Sequence, residues 1–167
     1  IIERFIDASR AGVQIRLVIR GICCLTPRIP GMTENIRIVS IVGRFLEHSR
    51  IYAFGVGEDT KVFIASGDMM TRNTERRVEV ACPIYDRRIR QRLLDMMNLL
   101  LRDNVKAREQ FADGRYVLRT PLNDPPLNAQ ETFMQQAKEP PETFEWDPVK
   151  SDGKKKRRLF GWFGKKK

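Results

Sequence analysis

Apolar residues at Ile1, Ile2, Phe5, Ile6 and Ala8 recur at helical spacing and give way to Gly12, so a helix is predicted over 1–11. Residues 13–19 first alternate and then run apolar, as a strand does on entering a core. That strand delivers Arg20 and Gly21 at its carboxyl end, the side on which open α/β sheets bind ligands. Pro27, Pro30 and Gly31 make 26–34 a loop. Residues 36–42 read as a second strand, with a helical reading of 41–47 left open. Two short strands, 51–54 and 62–65, flank the turn-rich Gly55-Val-Gly-Glu-Asp59 and read as a hairpin. A further strand is predicted over 78–81, ending at Pro83.

From Asp86 the period lengthens. Ile89, Leu93, Leu94, Met96, Met97, Leu100 and Leu101 form the apolar face of a helix, with Arg87, Arg88, Arg90 and Arg92 on its wet side. Asp86 is its candidate N-cap. One short strand is expected at 116–118 within 104–120, and a last helix over 128–138. Strands bracketed by helices give the class α/β, with a domain over 1–120, an extension of helical character over 121–138, and a disordered basic tail over 139–167. The chain opens inside a helical pattern on Ile1-Ile2, which reads as a piece of a longer protein.

Charge sharpens this division. The net charge is +10 over 167 residues, yet 151–167 hold +7, because eight cations there face only Asp152. The first 150 residues carry just +3, and their cations are mostly arginines, among them Arg16, Arg20, Arg37, Arg44, Arg50, Arg72, Arg76 and Arg77. Guanidinium forks suit discrete oxyanion contacts better than diffuse attraction. Three cysteines, two of them adjacent, match neither a disulfide framework nor a zinc spacing and read as small buried groups in a reducing cytosol. No segment has the length of a membrane span, and no signal peptide is visible.

The chemistry points to Gly43 through Asn73, which holds the single histidine, His48, two residues before Arg50. An imidazole beside guanidiniums is equipment for phosphate, since one can move a proton or attack phosphorus while the other grips phosphoryl oxygens. Taken by itself, a lone histidine is more often structural than catalytic. His48-Ser49-Arg50 followed by Ala65-Ser-Gly-Asp68 resembles the phospholipase D-type order of His-x-Lys and then Gly-Ser-x-Asn, with Arg50 for the lysine and Gly55 where that pattern has aspartate. Arg50, Ser66, Asp68, Arg72 and Asn73 are candidates to line one cavity, although Asp68 and Asn73 could equally brace the backbone. Gly55-Val56-Gly57 reads as a turn, Met96-Met97 as core, and Arg87–Arg92 as a solvated helix face with a minority reading as a polyanion guide.

Longer blocks carry a closer likeness. Ile19-Arg-Gly-Ile-Cys-Cys-Leu25, Ser40-Ile-Val-Gly-Arg-Phe-Leu-Glu-His-Ser-Arg-Ile-Tyr52, Ser66-Gly-Asp-Met-Met-Thr-Arg-Asn73 and Arg76-Arg-Val-Glu-Val80 resemble the C-terminal catalytic domain of bacterial polyphosphate kinases over about residues 1–120. Met69 departs from a common tryptophan there, and Gly67 from a common alanine. The resemblance implies a phospholipase D-like mixed sheet flanked by helices. It implies an enzyme that reversibly moves the terminal phosphate of ATP to polyphosphate through a phosphohistidine in a preceding domain absent from this chain. On that likeness Arg20 and His48 contact the nucleotide phosphates, and His48 is the second active-site histidine. Magnesium ligands are expected in the missing part, and the chain alone is expected to be inactive. The implied partners are ATP, ADP, polyphosphate and the preceding domains; a homo-oligomer is left open, and the expected location is the cytoplasm, with a peripheral place at the membrane also open.

The tail from Lys154 interleaves basic clusters with Leu159, Phe160, Trp162 and Phe163, and so could lie on an anionic membrane surface or embrace polyphosphate; its bland reading is a solubilising end. Two alternatives stand beside the kinase reading, a phospholipase D-type phosphodiesterase half-site and a non-catalytic polyanion-binding module.

Overall fold

A computed structural model describes residues 1–139, and the expectations for the basic tail lie outside those residues. The elements run α1 (Ile2–Arg10), β1 (Ile15–Ile19), β2 (Ile36–Ile41), β3 (Ile51–Phe54), β4 (Lys61–Ala65), α2 (Thr71–Glu75), β5 (Ala81–Pro83), α3 (Arg87–Arg102), β6 (Ala107–Gln110), β7 (Tyr116–Leu118) and α4 (Ala129–Gln136). They form a mixed four-stranded sheet, ordered β1-β2-β6-β7, and an antiparallel three-stranded sheet, ordered β3-β4-β5.

The period of two in β2 explains how the larger sheet is covered on both faces. Ile36 and Ile38 point one way and, with Leu25, pack against Phe5 and Ile6 of α1. Val39 and Ile41 point the other way and join Leu100 of α3, Ala107 of β6 and Ala129 of α4, with Phe133 closing over them. β2 is therefore buried on both sides, which is why its apolar residues run on instead of alternating. It pairs in parallel with β1, Ile15 opposite Ile36 and Ile19 opposite Ser40. On its other edge it pairs antiparallel with β6, Ile41 opposite Ala107. Among the described residues no helix is long and apolar enough to cross a membrane.

Asp86 caps α3 by accepting the Ile89 N–H at 2.9 Å, as its position predicts. The hairpin forms between β3 and β4, its turn passing through positive φ at Gly55 (99°) and Gly57 (62°), where a side chain would be strained. The predicted extension does not stand apart: α4 packs on the same core as α3 and β6.

Three local expectations change. The strand predicted over 78–81 is found at Ala81–Pro83, with Val78 98% exposed. The ladder to β4 begins only at Val80, whose C=O accepts the Ser66 N–H at 3.0 Å, so Val78 has no strand partner and no face to bury. Pro83 is tolerated because β5 is an edge strand. β6 was not anticipated, because Arg108, Glu109 and Gln110 look like loop residues. It is nonetheless the inner neighbour of β2, with Glu109 satisfied by Arg28 and by Arg119. The helical option for 41–47 is not taken. Ile41 ends β2, and the Phe45 N–H and C=O both bind the Gln130 side chain instead of helical partners.

Candidate phosphate-handling site

The site is assembled where β1 and β4 end and β3 begins. Arg20 follows β1 directly, His48 and Arg50 lie in the segment leading into β3, and Asp68 follows β4. Pairing of Ile51 with Ile64 sets the two ends of the smaller sheet side by side, and the Ala65 N–H reaches the Arg50 C=O at 2.9 Å. The register therefore places residues 48–50 beside 66–68.

Asp68 is the hub. Its Oδ2 accepts Arg20 Nη2 at 2.9 Å and lies 3.8 Å from Arg50 Nη2. Its Oδ1 and backbone C=O both accept from Asn73 Nδ2, which belongs to the short helix α2. Arg20 also donates Nη1 to the Glu47 C=O at 3.3 Å. Two guanidiniums converging on one carboxylate form an oxyanion-binding geometry held open by an internal anion. Both arginines keep partial solvent access, Arg20 with 32% of its side chain exposed.

His48 is exposed, and its ring lies against Arg50. Arg50 Nη1 is 2.8 Å from Nδ1 and 3.2 Å from Nε2, and it also donates to the His48 C=O at 3.1 Å. A guanidinium only donates, so the ring nitrogen that bonds Arg50 is an acceptor, and both nitrogens lie within its reach. Arg50 Nε and Asn73 Oδ1 are buried without a hydrogen-bond partner, a donor and an acceptor in one small constellation.

The remaining candidates divide. Ser66 Oγ donates to Glu79 Oε2 and accepts the Val80 N–H at 3.0 Å, so it secures β5 and does not face the arginines. Arg72 is exposed on α2 and takes no part in these contacts. Asn73 acts as a brace, 6% exposed and fastened to Asp68.

Three contributors were not anticipated. Tyr52 donates to the Gly67 C=O at 2.9 Å, fixing the turn before Asp68, and burial, then the Asp68 carboxylate, pushes its phenol above the ordinary range. Glu79 occupies the space that a Cβ on Gly67 would fill, at 2.8 Å from its Cγ. Gln130 holds the segment that carries His48. Tyr52 could have been found from its strand position, but Gln130 is more than 80 residues away from its partners and gives no local signal.

Metal coordination is a separate matter. Among the described residues no group of three or more His, Cys, Asp or Glu side chains could hold a metal ion. Asp68 is already engaged by two arginines and Asn73, so these residues do not fit a magnesium seat.

Residues 1–130 match the family described as "Polyphosphate kinase C-terminal domain 2". A polyphosphate kinase of Staphylococcus epidermidis is 48% identical across all of this chain, which covers 23% of that relative. "Polyphosphate kinase 1" of Chlorobaculum tepidum is 48% identical across 80% of this chain and 19% of its own length. The crystal structure of polyphosphate kinase from Porphyromonas gingivalis superposes with a TM-score of 0.77 at 39% identity, over 82% of this chain and 21% of that one. The chain thus spans about a fifth of the length of the relatives it matches.

Proposed function

The chain belongs to the polyphosphate kinase family, and from that premise we propose that it supplies one wall of a site that reversibly transfers the terminal phosphate of ATP to polyphosphate. The observation that supports this most is the convergence of Arg20 and Arg50 on Asp68, with His48 against Arg50, which brings three separate stretches of sequence together.

Phosphoryl transfer asks the protein for positive groups around equatorial oxygens and an in-line path, and for little covalent chemistry. Arg20 meets the first need. Its charge is permanent, and its orientation is set by Asp68 on one side and the Glu47 C=O on the other before any nucleotide arrives. A fork already fixed loses less freedom on binding phosphate. Asp68 in this reading is a positioning residue that a nucleotide phosphate partly relieves of its partner. His48 meets the second need. Its imidazole is exposed beside Arg50, where it can meet a phosphoryl oxygen or the oxygen that leaves with ADP.

In this reading the histidine that becomes phosphorylated belongs to a preceding domain of the same polypeptide, and His48 stands opposite it. Magnesium would be held outside these residues, and no step here depends on it. The chain by itself then binds nucleotide phosphates weakly and transfers nothing. The test compares the 167-residue chain with a full-length protein carrying it, each incubated with γ-labelled ATP and magnesium. Label should enter polyphosphate, and a protein histidine other than His48, only in the full-length protein. Stable label on His48 in the short chain, at a rate matching the full-length protein, would overturn this division of roles.

A further inference from the structure

We propose that Gln130 of α4 is a positioning residue for His48, clamping the irregular segment that presents the imidazole. This rests on the reading of His48 and Arg20 as the phosphate-handling pair.

Residues 43–49 leave the larger sheet after β2, and among the described residues no backbone–backbone hydrogen bond ties them to either sheet. They also expose Phe45 and Leu46. Left to itself such a stretch would sample many conformations. The Gln130 carboxamide supplies the missing partner. Its Oε1 accepts the Phe45 N–H at 3.0 Å, and its Nε2 donates to the Phe45 C=O at 2.8 Å and to Glu47 Oε1 at 2.7 Å. One side chain thus satisfies a whole residue's backbone, as a neighbouring strand would, and uses both amide hydrogens. Gln130 is only 5% exposed, so these bonds are sheltered from water.

Two further features fit a clamp. Gly43 sits directly beneath it, where an added Cβ would lie 2.4 Å from Gln130 Oε1. Its φ is not positive, so glycine is needed there for room and not for backbone conformation. The base of the clamp is also anchored: Asp103 Oδ2 accepts the Ala129 N–H at 2.8 Å, fixing the first turn of α4 to the corner between α3 and β6. Rigidity is therefore carried from the core through α4 to Glu47, the residue before His48.

The geometry separates two roles. Without the clamp Arg20 keeps its shorter bond to Asp68 and loses support only at the Glu47 C=O, so nucleotide binding should suffer less than turnover. His48 has Arg50 as its ring partner, two residues away on the same segment, so its placement depends on where that segment lies.

The experiment measures steady-state kinetics of polyphosphate synthesis in a full-length protein carrying this chain. The variants are Gln130→Ala, Gly43→Ala, both together, and His48→Ala as the control. Misplacing a reacting group by about 1 Å can cost about 100-fold. Gln130→Ala should therefore lower kcat by roughly 10- to 100-fold, leaving KM for ATP within about threefold and the melting temperature within a few degrees. Gly43→Ala should cost a similar factor, and the double variant should be no worse than Gln130→Ala, because the atom that clashes is gone. A kcat within about twofold of wild type in Gln130→Ala, with His48→Ala inactive, would overturn the clamp and leave the site reading intact. Losses that track a fall in melting temperature, or that add in the double variant, would likewise overturn it. An active His48→Ala would remove the reading on which it rests, and the clamp with it.

Discussion

Replacing Asp103 should damage the fold more than any other single carboxylate in the described domain. Asp103 is fully buried at the corner where α3 ends and β6 begins. Its Oδ1 accepts the N–H groups of Val105 at 2.9 Å, Lys106 at 2.7 Å and Ala107 at 3.0 Å, and its Oδ2 accepts Ala129 N–H at 2.8 Å. In Asp103→Ala all four donors lose their acceptor. Val105 and Lys106 reach solvent, so water can recover most of that loss, at a cost of about 1 kcal/mol together. Ala107 and Ala129 have no exposed surface, and each stranded donor costs about 1–3 kcal/mol. The sum, about 3–7 kcal/mol, is a large part of a domain's stability of ~5–15 kcal/mol. Asp103→Asn keeps one acceptor for the β6 corner but turns an amide toward Ala129, so its loss should be about 1–3 kcal/mol and confined to α4. Urea unfolding followed by circular dichroism tests both. With a slope of about 2 kcal/mol per molar, the alanine midpoint should fall by roughly 1.5–3.5 M, and hydrogen exchange in the asparagine variant should accelerate mainly in α4. A loss below about 1 kcal/mol in Asp103→Ala, or equal losses in the two variants, would refute the reasoning.

Other outcomes follow from the same contacts. Because burial raises the Tyr52 phenol above its unfolded value, its contribution to stability is complete below the unfolded pKa of about 10 and disappears as pH rises through the folded value. Wild type should therefore lose stability above about pH 10 more steeply than Tyr52→Phe, and parallel slopes in denaturant titrations would contradict this. Of the three cysteines expected to be buried, only Cys23 is sheltered, half-buried with its thiol pushed upward by burial, whereas Cys24 and Cys82 are exposed. A disulfide reagent at pH 8 should show two fast thiols and one slow one, and three equal rates would count against the packing around Cys23. Glu109→Gln should destabilise by about 1–3 kcal/mol, because it weakens the partner of both Arg28 and Arg119. A neutral result in thermal melting would show that Arg28 is held chiefly by its stacking on Phe111.

The elements that could be read in advance are those whose burial is uniform along their length. α1 and α3 each bury one stripe, so their apolar residues recur at helical spacing, and β2 is sealed on both faces, so its apolar residues run on. β6 was hidden because its polar residues are satisfied by distant arginines, a tertiary effect with no local trace. The strand near Val78 was misplaced because β propensity says nothing about where a partner begins. For the site, His48 and Arg20 stood out through residue type and a family likeness, and Asp68 through its place after a strand. Gln130 could not be singled out, because its importance lies in two backbone atoms it meets across 85 positions.

The central claim is that Arg20 and His48 handle the transferring phosphate. Its most direct test is ATP-dependent polyphosphate synthesis by a full-length protein carrying Arg20→Ala, Arg20→Lys or His48→Ala. Loss of a positioned acid/base group should lower turnover about 10²–10⁴-fold, and loss of an arginine on transferring phosphate by a comparable factor. Arg20→Lys should stay impaired, since a point charge cannot hold Asp68 and the Glu47 C=O and still offer a fork to phosphate. Circular dichroism should be unchanged in all three. Near-normal turnover in both alanine variants, with the fold intact, would place the chemistry elsewhere and contradict the account.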